Sequence, residues 1–171
     1  MKISGRNISR RLYGLEMLPS RLKRARYFRG HGVHSPYVYD IVRKVFMKSK
    51  LQTSDTALYD SLRERGISRR RAVQLQNLLA HCGYSTFGID RAAERVDMLV
   101  ATTDVAPDRL PQLASEAERD RSTLCVMSPY LSAERQRVCR QIVDAHASTS
   151  VDNRGYLLLF NNHLPRQRFK L

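Results

Sequence analysis

The sequence predicts an α/β domain: a mixed sheet of four to five short strands with an antiparallel C-terminal hairpin, preceded by a helical, basic N-terminal extension. Three observations carry this. Apolar residues recur at helical spacing through residues 36–82. Beyond Gly83 the chain changes to short strand-like runs alternating with helical stretches. Of the net charge of +14, +11 lies in residues 1–50, where thirteen Lys and Arg meet only Glu16 and Asp40. A chain of 171 residues is about one domain and is long enough to bury a core.

Residues 1–18 have weak periodicity, and Leu12, Tyr13, Leu15 and Met17 suit at most one short turn or helix. Pro19-Ser20 interrupts the chain, and RLKRARYF (21–28) reads as a short basic helix with outward arginines. Residues 1–30 thus form a basic arm, and residues 31–82 a helical segment. Ser35-Pro36 is a helix start, a hydroxyl for the first open amides followed by a proline whose fixed φ suits the first turn. Val38, Ile41, Val42, Val45 and Phe46 share one face, and Lys44, Lys48 and Lys50 suit the negative end of a helix ending near residue 50. Asp55 or Thr56 caps a second helix, with Leu58, Tyr59 and Leu62 on one side and Gly66 as its stop. Ser68 caps a third, whose apolar side is Val73, Leu75, Leu78, Leu79 and Cys82, and Gly83 ends it.

Residues 83–171 hold the sheet portion of the same domain. YSTFGI (84–89), DMLVAT (97–102), TLCVM (123–127), STSVD (148–152) and YLLLF (156–160) have strand character. Residues 108–120 and 131–147 between them have helical spacing, the second capped by Ser132 with Val138, Ile142 and Val143 toward the sheet. Strand, helix, strand, helix, strand argues for parallel pairing by crossovers. Only Asn153-Arg154-Gly155 separates the last two runs, which permits a hairpin and forbids a parallel crossover. These 89 residues, at about 20 to 25 per strand and helix, hold four or five strands.

No apolar run approaches the ~20 residues of a membrane span. The basic N-terminus leads into no apolar segment of a secretory signal. Cys82, Cys125 and Cys139 are odd in number, lack CxxC spacing and sit among apolar residues, so unpaired thiols in a cytoplasmic setting are expected. The charge of residues 1–50 suits a polyanionic partner, a nucleic acid or an acidic protein, with steep salt dependence. A solvated tail is the plainer alternative. Oligomeric state is not legible in the sequence.

The segment RGHGVHSPYVYDIVRKVF (29–46) resembles the N-terminal HGVHSP-F element of a family of bacterial class I S-adenosylmethionine-dependent methyltransferase-like proteins. The similarity extends to the tail, where residues 123–171 match an aliphatic strand, a SPEM-like helix start, a tight-turned strand pair and a final KQ-F segment. It covers about residues 20–48 and 94–171. What it implies is a Rossmann-like sheet in shortened form. The terminal hairpin would be strands six and seven of seven, DMLVAT strand four and TLCVM strand five.

The resemblance also implies an S-adenosylmethionine site at the carboxyl ends of the first two strands, with a Gly-rich loop and a ribose-binding acid. No GxGxG or ExGxxxG occurs in the chain. Gly83-Tyr84-Ser85-Thr86 looks like the GYST closing such a loop, but a helix precedes it, so a helix C-cap entering a strand is the expected role. Asp90 after Gly88-Ile89 and Asp104 after DMLVAT are the candidate cofactor acids, and Tyr130 in Ser128-Pro129-Tyr130 is a candidate pocket residue beyond a strand. His31 and His34, three apart, lack a third ligand nearby, so no metal is expected. His34 suits a hydrogen bond to the capping region and His31 a substrate or partner contact. Arg24, Arg26 and Arg29 are the candidate partner-binding cations of the arm.

The expectation is a methyltransferase-like protein that has lost catalysis, needs no cofactor and acts by binding a partner. Two alternatives stand beside it. One is an active S-adenosylmethionine-dependent methyltransferase with an atypical site. The other is a sequence-tolerant nucleic-acid-binding protein using its basic arm.

Overall fold

The structure, a computed structural model, describes residues 33–91 and 94–171. The basic arm of residues 1–30 and its expected helix at 21–28 lie outside the described residues. So do His31, Arg24, Arg26 and Arg29.

Three helices come first. α1 (Pro36–Ile41) starts where Ser35 Oγ accepts the Val38 amide at 3.4 Å, and it runs on as a π-helical turn over Val42–Phe46. The helix therefore stops four residues short of Lys50. The turn widens because the Met47 amide reaches the Val42 carbonyl, while Val42, Val45 and Phe46 stay buried. α2 (Ala57–Glu64) and α3 (Arg69–His81) follow where the apolar spacing puts them.

The sheet has the order β1-β2-β3-β5-β4-β6. β1 (Phe87–Ile89), β2 (Met98–Ala101) and β3 (Thr123–Met127) are parallel. α4 (Leu110–Asp120) makes the β2–β3 crossover, and α5 (Ala133–Ala145) leads from β3 to β4 (Ser150–Asp152). β5 (Tyr156–Leu159) returns antiparallel and inserts between β3 and β4. β1 and β2 are parallel neighbours joined by residues 90–97, with no helix among the described residues of that link. Strands of three or four residues need a return of only about 10 to 14 Å, well within eight residues of chain.

The α/β class, the mixed sheet and the antiparallel hairpin are as the sequence predicts. The sheet gains a sixth strand, β6 (Arg168–Lys170), which pairs parallel with β4 at the edge. Its single apolar residue, Phe169, lies between the cations Arg168 and Lys170, and one apolar residue carries no strand signal. The charges suit an edge that must resist further pairing.

β2, β3, β4 and β5 bury both faces. Met98, Val100, Cys125, Met127, Tyr156 and Leu158 point to α1–α3, while Leu99, Ala101, Leu124, Val126, Leu157 and Leu159 point to α4 and α5. This three-layer arrangement puts the carboxyl ends of β1–β3 and the β4–β5 turn on one edge. α3 also carries buried polar groups that fasten its surroundings. Gln76 Oε1 accepts the Tyr59 amide, and Asn77 bridges the Gln52 amide and the Lys50 carbonyl, holding the link before α2. Among the described residues no helix is long and apolar enough to cross a membrane.

Candidate functional site

In α/β sheets the carboxyl edge of the strands is where ligands are usually held, because loops and helix starts converge there. In this chain the edge is formed by Asp90 after β1, Thr102 and Asp104 after β2, Ser128–Tyr130 after β3 and the β4–β5 turn. Asp90 and Ser128 have positive φ, 63° and 48°, in non-glycine residues. Such conformations cost energy and persist where surrounding bonds fix them.

Those bonds are visible. Asp90 Oδ1 accepts the Thr102 amide at 2.6 Å and Oδ2 accepts the Thr102 hydroxyl at 2.9 Å. The Asp104 amide donates to the same hydroxyl at 3.2 Å. Two of the three candidate residues from the sequence, Asp90 and Asp104, are therefore brought together around Thr102. The Asp104 side chain is exposed, whereas the Asp90 carboxylate clamps the ends of β1 and β2. Ser128 donates its amide to the Gly155 carbonyl at 2.8 Å, and its hydroxyl accepts from Arg71 Nη1 at 3.2 Å.

Tyr130 lies further along the edge. Its hydroxyl donates to Asp152 Oδ2, and Asp152 Oδ1 accepts the Arg154 amide at 2.9 Å. Tyr130 also lines a groove of about 260 Å³ between α5 and the β4–β6 edge, with Cys139, Arg140, Val143, Phe169 and Lys170. The position beyond a strand is thus the one the sequence gives it. His34 is exposed at the start of α1, where the Ser35 hydroxyl bonds the Val38 amide.

The residue at this edge that sequence reasoning missed is Arg135. It is 1% exposed, although it stands in the first turn of α5. Its Nη1 donates to the Val105 carbonyl at 2.7 Å, and Nη2 to the Thr102 carbonyl at 2.8 Å and the Met127 carbonyl at 3.1 Å; Nε also reaches Met127. One guanidinium thus ties together the loops leaving β2 and β3. Burial pulls its pKa below the ordinary arginine value, while the fields of Cys139 and Asp90 act the other way. A signal existed: Arg135, Val138 and Ile142 fall at the spacing of one helical face, placing a cation on an apolar stripe.

At the opposite edge, Gly83 ends α3 with φ 69°, and the Tyr84 amide closes onto the Leu79 carbonyl. GYST is a helix C-cap entering β1, as expected. Asp97 Oδ2 accepts from the amides and hydroxyls of Ser85 and Thr86, all within 3.1 Å. Partial burial raises the Asp97 carboxyl, but these four donors outweigh it and hold it below the usual carboxylate range. A depressed carboxyl adds stability above its unfolded value of about 3.9 that is lost as pH falls through the folded value. Asp97→Ala is expected to cost about 1 to 2 kcal/mol at pH 7 and much less at pH 3. Urea titrations at the two pH values check this; an equal loss at both would place the effect in packing.

Cys82, Cys125 and Cys139 are unpaired, as the sequence suggests. Burial pushes the Cys125 thiol up and the Cys139 thiol to about 11, so neither is primed as a nucleophile. Among the described residues no three His, Cys, Asp or Glu side chains gather as metal ligands. No family model, curated protein or solved structure matches the chain.

Proposed function

We propose that this chain is a methyltransferase-like protein of reduced, Rossmann-like build that has lost catalysis and works by binding a partner. One observation carries the reading: the Asp90 carboxylate and the Arg135 guanidinium at the carboxyl edge are spent on the fold itself. Both oxygens of Asp90 are bonded to Thr102, and the Arg135 guanidinium is bonded to three carbonyls of the same edge. The residues after β1, DRAAERVD (90–97), contain no glycine that would let backbone approach an adenosyl group closely. These residues do not fit the cradle that the resemblance implies.

Thermal melting with S-adenosylmethionine, and separately with its demethylated product, tests the reading. A ligand of the native state raises the melting point with concentration, by about 2.7 kcal/mol of stability at a hundredfold excess over Kd. No shift is expected with either compound at about 1 mM. A concentration-dependent rise would overturn the proposal in favour of an active methyltransferase with an atypical site.

Charge favours a second reading of how the protein binds. Residues 1–50 carry +11, the electrostatic footprint of a polyanion-binding segment, with a nucleic acid or an acidic protein as partner. Arg24, Arg26 and Arg29 would supply part of that contact. Binding through phosphate contacts weakens steeply with salt, so a salt titration of nucleic-acid binding separates it from a tail that merely solvates the chain.

A further inference from the structure

The segment LRERGISRRR (62–71) holds five arginines, Arg63, Arg65, Arg69, Arg70 and Arg71, against one acid, Glu64. Folding places them at the end of α2, the turn after it and the first turn of α3. The start of α3 lies against the β4–β5 turn. A Cβ built on Gly155 would stand 2.6 Å from Arg71 Nε, so the absence of a side chain there is what admits the arginine. Arg154, next in the turn, is held at φ 52° and adds a sixth guanidinium. The fields of Arg70 and Arg71 reach Tyr156 on the far side of that turn.

Such an arrangement is unfavourable by itself. No acidic residue lies in the first turn of α3, so three cations crowd the positive end of a helix dipole. The four ion pairs found among the described residues are Lys44–Asp40, His81–Asp40, Arg119–Asp120 and Arg168–Asp144, and none involves these six arginines. Among the described residues Arg63 and Arg65 donate to the carbonyls of Ile67 and Ser61, and Arg71 to the Ser128 hydroxyl. Asp152, the acid nearest in sequence to the turn, already accepts from Tyr130 and the Arg154 amide. The patch borders the carboxyl edge of the sheet.

We infer that this arginine patch is a second polyanion-binding surface, built into the folded domain and separate from residues 1–50, and that it takes the phosphate backbone of a nucleic acid. The inference deepens the partner-binding reading above and rests on it. All six cations are arginine, whose planar fork engages phosphate oxygens in pairs, and none is lysine. Cations from three elements along one edge suit a linear polyanion better than a single small anion. Residues 62–71 and Arg154 include no aromatic residue for stacking bases, so binding is sequence-tolerant.

The test uses the full chain, a fluorescein-labelled 20-nucleotide single-stranded RNA and fluorescence anisotropy across a salt series. Two full-chain variants are compared with the wild type: R65Q/R69Q/R70Q/R154N in the patch and R24Q/R26Q/R29Q in the arm. Each phosphate contact on a single strand contributes roughly 0.7 to the slope of log K against log salt. The patch variant is expected to lose about 2 to 3 from that slope and at least about tenfold in affinity at 0.1 M salt. Its melting point should be unchanged or raised, since like charges have been removed. Should it melt early, the single variants R70Q and R154N carry the same test, each lowering the slope by about 0.7. If wild type binds and only the arm variant loses slope, the patch is not a binding surface, while the partner-binding reading stands. Absence of RNA binding by wild type overturns the patch as a nucleic-acid surface, and absence of polyglutamate binding as well overturns the polyanion-partner reading. Displacement of the RNA by polyglutamate at equal charge concentration would overturn the nucleic-acid assignment in favour of an acidic protein.

Discussion

Arg135→Met should lower the stability of the folded chain by about 3 kcal/mol, roughly 6 to 12 °C in melting point for a chain of this length. Two opposed effects set that figure. Methionine fills much of the same volume and spares the cost of keeping a charge out of water, which favours the variant. Against that, the carbonyls of Thr102, Val105 and Met127 lose the donors that bind them at 2.7 to 3.1 Å. Each carbonyl left without a partner in a buried site costs about 1 to 3 kcal/mol. Three such losses outweigh the relief of one charge. Arg135→Lys should recover less than half of the deficit, because one ammonium on a flexible stem cannot span three carbonyls as a planar fork does. Urea unfolding of both variants measures this. A methionine variant as stable as wild type would mean that burial of the guanidinium cancels its own bonds.

The same residue explains which parts of the protein were open to sequence reasoning. Elements set by apolar spacing came through well, and so did part of the capping. Thr56 and Ser68 stand at the starts of α2 and α3 without a side-chain cap bond, and before α2 it is Asp55 whose carboxylate accepts the Ala57 amide. Ser132 Oγ accepts the Arg135 amide at 3.1 Å as a helix cap, Gly83 closes α3, and the turn at Asn153-Arg154-Gly155 makes the hairpin. What did not come through rests on polar groups whose partners are distant in the chain. Arg135 looks like a surface residue at a helix start until Thr102 and Val105, some thirty positions earlier, are brought beneath it. α3 is similar: its sequence shows an apolar stripe, yet Gln74, Gln76 and Asn77 are also buried, since α1, α2 and the sheet enclose it on several sides. β6 was hidden because edge strands are chosen for charge rather than for apolar alternation.

The candidate site was legible in outline. Asp90, Asp104 and Tyr130 do lie beyond strand ends, because a strand followed by a polar turn is a local pattern. Their bonding was not legible. Whether an acid faces a ligand or closes onto its own backbone depends on the neighbouring strand, and Thr102 lies twelve residues away. The arginines of residues 63–71 were likewise visible as letters but not as one surface, since Arg154 joins them only through the hairpin. Charge totals for the two parts of the chain, +11 and +3, conceal that local concentration.

The other large effect is expected at Tyr156, where Tyr156→Ala should cost about 4 kcal/mol. Its ring is 1% exposed and meets Phe46 edge-on, with centroids 5.9 Å apart, so it joins β5 to the π-helical turn after α1. Its hydroxyl donates to Gln74 Oε1 at 3.2 Å and accepts from Asn153 Nδ2 at 2.8 Å, while Gln74 Nε2 donates to the Phe46 carbonyl at 2.7 Å. That chain of bonds links the hairpin, α3 and the widened turn through the middle of the core. Tyr156→Phe separates the two contributions: it keeps the ring and removes only the hydroxyl, leaving Gln74 and Asn153 each short of a partner, for about 1 to 2 kcal/mol. The remaining deficit of the alanine variant measures ring packing. Chemical unfolding of both variants, with Gln74→Leu combined with Tyr156→Phe, completes the test. Removing both ends of the bond should cost less than the sum of the single changes, because neither then leaves the other stranded. Strict additivity would show that the hydroxyl and the amide do not act on each other, and the link from β5 to α3 would then rest on the packing of the ring.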